Sequence, residues 1–247
     1  MTGPTAHNVT DQPYERIPAV LRRAIATRGR RWLLAVTLAV GVVAAMGIGT
    51  GLPPASRTFA AYADPVQSAM SVFVPFFGVL LARDLRGRGG TVRLTPSFAG
   101  GMLLGAIIGA WGGLLSALAV ALMPSTAPDP WRHVGTVAVG GVLIQMIAFL
   151  VGMGFGLLLS PPLVACLATI VVPLGLWLLL GSVDVLRAAQ AWLTPYPSVR
   201  TVLTGQMTAL AWIKWAVVVL IWDGGLNAAG VARLRRTTAG HPPPTAS

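Results

Sequence analysis

The chain has 247 residues, of which 55% are hydrophobic and only 10% charged, and its formal net charge is +11. Because soluble domains carry about 25% charged residues, this composition excludes an ordinary water-surrounded globule. The basic residues lie between and outside long apolar runs rather than on one soluble face, which argues against a nucleic-acid-binding protein. Several apolar runs approach or exceed ~18 residues, the length typical of membrane-spanning helices. We therefore expect an all-α integral membrane protein.

The first segment of the chain, residues 1–31, is a basic leader. Residues 1–15 are polar, and we expect them to be disordered. After them Ile17, Leu21 and Ile25 recur at helical spacing, with arginines at other positions around the wheel. This pattern fits a short amphipathic helix lying along the lipid headgroups, and it also fits a disordered basic leader. Both interpretations stay open.

The first two predicted spans follow the leader. The first covers residues 32–52 and is stopped by two prolines. Its apolar core is longer than the ~7–15 residues of a secretory signal peptide, so we expect a retained signal-anchor. The second covers residues 66–82 and contains Pro75, which predicts a kink. The basic loop that comes next, residues 83–94, cannot lie within hydrocarbon and must face water or headgroups.

The third, fourth and fifth predicted spans are joined by short turns. Thr95-Pro96 resembles an N-cap followed by proline at the first helical position, and the third span extends from there to residue 123. The fourth span covers residues 136–159 and the fifth residues 163–181. Only three residues, Ser160-Pro161-Pro162, separate them. So short a turn predicts that these two spans are antiparallel neighbours.

The longest segment between spans is predicted at residues 184–208. Its first part, residues 184–193, can form a short helix, and two prolines follow it. The sixth predicted span covers residues 209–230. We expect the remaining residues, 231–247, to form a disordered tail, so that the six-helix transmembrane domain occupies residues 32–230.

Six spans place both termini on the same side of the membrane. On this topology thirteen arginines lie on the side of the termini and four on the other. Arginine and lysine are enriched in cytoplasmic loops, so the asymmetry predicts that both termini and residues 83–94 are cytoplasmic.

Small residues recur within the spans at a spacing that predicts close helix packing. In an α-helix, residues four positions apart lie on nearly one face, where glycines let a second backbone approach. Two predicted spans carry such sets. The glycines are Gly101, Gly105, Gly109 and Gly113 in the third span and Gly152 and Gly156 in the fourth.

Three of the polar residues inside the predicted spans are singled out as candidates for function, because polar groups are costly there. Gln145 can line a pathway or bond across helices. Lys214, near the end of its span and flanked by tryptophans, is expected to snorkel to the interface. Asp223 lies deeper and is either a proton- or ion-coupling carboxylate, a hydrogen-bonded structural acid, or a partner of Arg233 and Arg235.

The sequence indicates no enzyme. None of the three histidines has a second histidine or a cysteine three or four positions away. The only lysine is Lys214, so a phosphate-binding Gly-x-x-x-x-Gly-Lys-Ser/Thr loop is absent from the sequence. We expect no catalytic residue, no metal and no cofactor, and any ATP-driven work requires another subunit.

A short motif lies at the end of the second span, where the run Gly78-Val79-Leu80-Leu81 is followed by Asp84, Arg86 and Gly90-Thr91-Val92. This motif resembles that of ABC-2-type transporter permeases, in which a Gly-Val-Leu-like run is followed by an acidic residue, an arginine and a Gly-Thr pair. The basic leader, six spans and long outer segment are also similar to that family, over about residues 16–236.

The resemblance implies a permease subunit that forms a homo- or heterodimer and docks a separate ATP-hydrolysing subunit at its cytoplasmic face. The leader and the loop would transmit the ATPase motion, and residues 184–208 would resemble the short re-entrant helices beside the exit. It also implies the plasma (inner) membrane of a bacterium. The residues expected to contact the ATPase are Arg83, Asp84, Arg86, Arg88, Thr91 and Arg93.

Two other functions remain open. The scarcity of polar residues inside the spans is compatible with a non-transporting membrane scaffold or accessory subunit. An acid within the sixth span is compatible with a proton-coupled secondary transporter that uses Asp223.

Overall fold

A computed structural model describes residues 21–22, 25–87 and 94–239. Within these residues the chain is helical and contains no strand. Six helical stretches are long and apolar enough to cross a membrane, which confirms the expected all-α, multi-pass architecture. They are Arg28–Gly51, Phe59–Gly87, Leu94–Leu122, Val134–Leu158, Pro162–Ser182 and Ala209–Arg236.

We number the α-helices in chain order. The first five are α1 (Arg28–Gly51), α2 (Phe59–Ser71), α3 (Val74–Gly87), α4 (Leu94–Leu122) and α5 (Val134–Leu158). The others are α6 (Pro162–Ser182), α7 (Asp184–Leu193), α8 (Pro195–Leu203), α9 (Ala209–Val219) and α10 (Leu226–Ala239). A π-helical segment, Leu220–Gly225, joins α9 to α10. The second span therefore consists of α2 and α3, and the sixth of α9, the π segment and most of α10.

The second span is longer than predicted and broken in the middle. It begins at Phe59 rather than residue 66, because Thr58 caps it by accepting a hydrogen bond from the backbone N–H of Ala61 at 3.3 Å. The kink expected at Pro75 is a full interruption between Ser71 and Val74. Proline has no N–H to offer the carbonyl four residues earlier and its ring crowds that carbonyl, so the regular helix ends there.

Three boundary predictions are wrong. Thr95-Pro96 is not a cap, since α4 is already helical at Leu94. The tail predicted to be disordered from residue 231 continues as helix α10 to Ala239. The proline-containing second part of the outer segment, for which the residue pattern alone predicted no helix, forms α8. Residues 240–247, and residues 1–20 and 23–24 of the leader, lie outside the described residues.

Helix α5 is the centre of the bundle. It packs along α3 and α4 on one side and along α10 on another. The main apolar core lies at these contacts and includes Phe77 of α3, Ile108 of α4, and Phe149 and Met153 of α5, all at most 2% exposed. The predicted antiparallel packing of the fourth and fifth spans is also present, as α5 against α6.

Polar contacts tie the elements together at each end of the bundle. We call one end the arginine-rich face, because Arg30, Arg86 and Arg233 make their contacts there. At the opposite face, the Arg57 side chain donates to the carbonyl of Pro124 at 2.8 Å. The backbone therefore turns at these two ends, as six membrane crossings require, and the cytoplasmic location of the arginine-rich face stays a prediction.

Helices α7 and α8 form a hairpin that enters the bundle from the opposite face. The indole N–H of Trp222 donates to the carbonyl of Leu193 at 2.8 Å, and Trp222 lies ~20 Å along the sixth span from Ala209. Thr194, at the tip, is 0% exposed. The chain then returns toward the opposite face, where Gly205 contacts His133. We call α7 and α8 the re-entrant hairpin.

Candidate functional site

Three of the four glycines singled out in the third span lie at contacts with α5. A Cβ placed on Gly105 or Gly109 would stand 2.8 Å or 2.6 Å from the nearest atom of the α5 backbone. Gly101 instead faces the ring of Phe149. These glycines therefore set how closely α4 and α5 approach, since any side chain there would push the helices apart.

Gly113 does not belong to this packing face, contrary to the sequence prediction. No described atom lies within 4 Å of the position that a Cβ on Gly113 would occupy. Steps of four residues drift around a helix with 3.6 residues per turn, so the contact passes to Gly112. There a Cβ would stand 2.7 Å from Nε2 of Gln67.

The two glycines of the fourth span pack against the second span. Gly152 faces the backbone of Pro75, and a Cβ on Gly156 would stand 2.7 Å from the Cα of Val79. Gly78 of α3 in turn faces the carbonyl of Phe149. Helices α3 and α5 thus approach to backbone contact at the break in the second span.

Gln145 is part of a buried amide network. Its Nε2 donates to both the backbone carbonyl and the Oε1 of Gln67, each at 2.9 Å. Nε2 of Gln67 donates to the carbonyl of Gly109 at 2.8 Å. Both side chains are at most 1% exposed. The network joins α2, α4 and α5, which favours the packing interpretation of Gln145. The sequence analysis missed Gln67, although it is a second amide within an apolar run.

Asp84 of the predicted ATPase-contact loop pairs with the first turn of α1. The guanidinium of Arg30 donates to Oδ2 of Asp84 at 2.8 Å and to the carbonyl of Leu80 at 3.0 Å. Arg30 is buried, while the Asp84 side chain is 29% exposed. The pair ties the end of the leader to the end of α3. In the sequence analysis Arg30 was only one of the thirteen arginines predicted on the side of the termini.

The other described residues of that loop belong to α3. Arg86 donates to the carbonyl of Ser160 at 3.2 Å, and Arg233 of α10 donates to the carbonyl of Leu158. Arg83 is exposed. Three residues predicted for the contact lie outside the described part of the chain: Arg88, Thr91 and Arg93.

Lys214 and Asp223 lie apart, as their spacing predicts. The ammonium of Lys214 stands over the ring of Trp192 in the re-entrant hairpin, 5.5 Å from its centroid. Asp223 lies in the π segment, is 6% exposed, and neither of its carboxylate oxygens has a hydrogen-bond partner among the described residues. The structural-acid interpretation, which requires such a partner, is therefore not supported.

A cavity of about 410 Å³ lies beside the re-entrant hairpin. Its walls come from α2, α3, α5, α6, α8 and α9, and most of them are apolar. Three prolines of the second and fifth spans, Pro65, Pro75 and Pro173, line it. This volume is within the ~300–1,000 Å³ of small-molecule sites. Proline kinks at the wall provide bending points, because each removes a helix hydrogen bond.

A few polar groups also line the cavity. Asp64 and Arg200 contribute opposite charges from α2 and α8, together with the aromatic side chain of Tyr196. Oγ of Ser68 donates to Oδ1 of Asp64 at 3.4 Å. A largely apolar wall with a few polar groups is the usual make-up of a ligand site. The sequence analysis did not single out Asp64, and it assigned Arg200 only to the outer loops.

Cysteine labelling at a serine that lines the cavity and at a buried serine tests whether the cavity is open to water. In a Cys166→Ala background, Ser68→Cys is expected to react with a membrane-impermeant thiol reagent, because Ser68 lines the cavity. Ser116→Cys is the matched control and should stay unlabelled until the protein unfolds, since Ser116 is 0% exposed. Mass spectrometry of the labelled chain measures both. Absence of labelling at Ser68→Cys, as at Ser116→Cys, would show that the cavity is closed to water.

The candidate site thus consists of the cavity, the re-entrant hairpin beside it and the Arg30–Asp84 pair at the far end of the second span. No family model, curated protein or solved structure matches this chain.

Proposed function

We propose that the chain is the membrane-spanning permease subunit of an ATP-driven exporter and works with a separate ATP-hydrolysing subunit. The observation that carries this proposal is the partly open cavity of about 410 Å³ between the helices. Clefts of ~300–1,000 Å³ with mostly apolar walls and a few polar groups are typical of small-molecule sites. A bundle that serves only as a scaffold has no need for a space of this size, whereas a transporter does.

Helix α3 connects the arginine-rich face to the cavity, so a movement of that face can be transmitted to the cavity. The Arg30–Asp84 pair attaches the end of the leader to the last turns of α3. At its other end α3 begins at the break that precedes Pro75, and residues on both sides of that break line the cavity. A displacement applied at the arginine-rich face would therefore reach the cavity through one rigid helix.

In this proposal a second protein subunit supplies the energy for transport. The sequence has no phosphate-binding loop, and the arginine-rich face offers exposed positive charge to a second protein. The resemblance of residues 78–92 to ABC-2-type permeases supports an ATPase as that partner. We further propose a dimer of permease subunits in the plasma membrane of a bacterium.

Co-purification from the native membrane in mild detergent tests the partnership. We expect an ATP-hydrolysing subunit to be recovered with the chain. Arg83→Glu should weaken that association by about tenfold or more, which corresponds to ~1.4 kcal/mol. Arg187→Glu is the control, because Arg187 is an exposed helical arginine at the opposite face. Recovery without any ATPase, or equal loss in both variants, would contradict the proposal.

Reconstitution separates this proposal from its two alternatives. In vesicles that contain both subunits, an exporter requires ATP. Transport driven by a pH gradient without ATP, and lost in Asp223→Asn, would instead identify the proton-coupled transporter. A scaffold would transport nothing under either condition, and its cavity would remain closed to thiol reagents.

A further inference from the structure

The sixth span contains a helical irregularity around an unpartnered acid. Asp223 lies in the π-helical segment Leu220–Gly225, followed by Gly224 and Gly225. Single π-helical turns inside α-helices occur frequently at functional sites. Asp223 is 6% exposed, and both of its carboxylate oxygens are buried without a hydrogen-bond partner in the described part of the chain. Buried polar side chains are ordinarily hydrogen-bonded, so this carboxyl group requires an explanation.

A third buried oxygen without a hydrogen-bond partner among the described residues belongs to Asn227, four residues after Asp223. Its Nδ2 donates to the carbonyl of Leu150 at 3.0 Å and to the carbonyl of Asp223 at 2.8 Å. Since both contacts are with acceptors, they fix which end of the amide is nitrogen. Oδ1 of Asn227 is then left as a buried acceptor without a partner among the described residues. Residues four apart lie on the same side of a helix, so the two side chains face the same region.

No charged or titratable side chain described on the surrounding elements donates a hydrogen bond to these oxygens. Helix α5 carries none, and α6 carries only Cys166. Lys214 of α9 stands over Trp192, and on α7 Arg187 pairs with Asp184 at 2.7 Å. Helix α10 carries three arginines, Arg233, Arg235 and Arg236. Of these, Arg233 donates to the carbonyl of Leu158. The three oxygens, two of Asp223 and Oδ1 of Asn227, therefore have no hydrogen-bond donor among the described residues.

We propose that Asp223 and Asn227 bind a small monovalent cation, either H⁺ or Na⁺. A proton on the carboxyl group would supply the donor that the oxygens lack, and Na⁺ would be held by carboxylate and carbonyl oxygens, the ligands that hard cations prefer. Either ion neutralises a charge that is costly within the membrane. A transition metal fits less well, because the described residues contain no cluster of three or more His, Cys, Asp or Glu.

This cation would act on the re-entrant hairpin. Trp222, the residue before Asp223, donates its indole N–H to the carbonyl of Leu193 at the hairpin tip. Pro195 and Tyr196, just beyond that tip, line the cavity. Occupancy at Asp223 therefore sets the position of a side chain that holds the cavity wall. The inference concerns ion binding to the chain itself and goes beyond the proposed ATP-driven function.

Thermal unfolding of the purified full chain in lipid nanodiscs, without any ATPase, tests the site. If Na⁺ is the ion, replacing choline chloride by NaCl should raise the Tm of the wild type by about 5–10 °C at a hundredfold excess over Kd. Asp223→Asn should lose this response while keeping a Tm at least equal to that of the wild type in choline. Its amide places a donor where the ion would stand. Asp184→Asn is the matched control, since Asp184 is an exposed acid, and it should respond like the wild type.

Infrared difference spectroscopy on the same samples distinguishes a proton from sodium. If H⁺ is the ion, the wild type and Asp184→Asn show the C=O band of a protonated carboxylic acid near neutral pH, Asp223→Asn lacks that band, and Na⁺ leaves the Tm unchanged. The proposal is overturned if the wild type shows neither a Na⁺ response nor such a band. It is equally overturned if Asp223→Asn retains whichever signal the wild type shows.

Discussion

Gly152→Ala is expected to prevent the chain from forming a stable bundle. Gly152 faces the backbone of Pro75 where α3 and α5 touch, and no side chain can rotate away to make room for a methyl group. Overpacking commonly costs ~1–3 kcal/mol, and a clash with backbone at a central helix belongs at or beyond the upper end of that range. We expect a loss of monodisperse protein in detergent size-exclusion chromatography and a Tm lower by about 5–10 °C or more.

Two other glycines provide matched controls for this substitution. Gly135 lies on the same helix as Gly152, and Gly113 on α4, and each has open space where a Cβ would stand. Alanine has a higher helix propensity than glycine by ~1 kcal/mol, so Gly135→Ala and Gly113→Ala should match or exceed the wild-type Tm. If all three variants behave alike, backbone contact between α3 and α5 does not determine the packing.

Gln145→Leu is expected to produce the second largest loss of stability. Leucine has a similar volume, but it removes the amide that donates to Oε1 of Gln67 at 2.9 Å. A buried polar group left without its partner costs ~1–3 kcal/mol. For a chain of this length the Tm should fall by about 2–10 °C, which thermal unfolding monitored by tryptophan fluorescence measures.

The double variant Gln67→Leu/Gln145→Leu separates the lost hydrogen bond from the altered shape. Removing both amides leaves no unpaired donor or acceptor between the side chains, so the double variant should be less destabilised than the sum of the single variants. The coupling free energy expected for such a bond within a membrane is about 0.6–1.7 kcal/mol. Strict additivity would show that the two amides contribute independently.

The spans themselves could be predicted because they depend on local properties. A run of apolar residues is recognisable without knowledge of its neighbours, and the short helix at residues 184–193 was predicted with the bounds that α7 has. The residue pattern alone did not predict helix α8, which contains two prolines. Pro195 and Pro197 occupy the first and third positions of α8, where backbone N–H groups have no intrahelical partner and proline is tolerated.

The candidate site depended on contacts between distant residues, which a single sequence does not show. Trp222 meets the carbonyl of Leu193 across 29 positions, and Gln145 meets Gln67 across 78. The oxygens of Asp223 are unusual only because of what surrounds them. The sequence analysis identified Asp223 as a costly charge within a span, but the role of Asn227 required the three-dimensional arrangement.

The re-entrant hairpin has a consequence for the order in which the protein is assembled. With ten and nine residues, α7 and α8 are too short to cross hydrocarbon, which takes ~20 residues. Their contacts are with the second, fourth, fifth and sixth spans, including the late residue Trp222. During synthesis we therefore expect the hairpin to complete its contacts only after the last span has been inserted, so that the cavity wall is finished after all six crossings are in place.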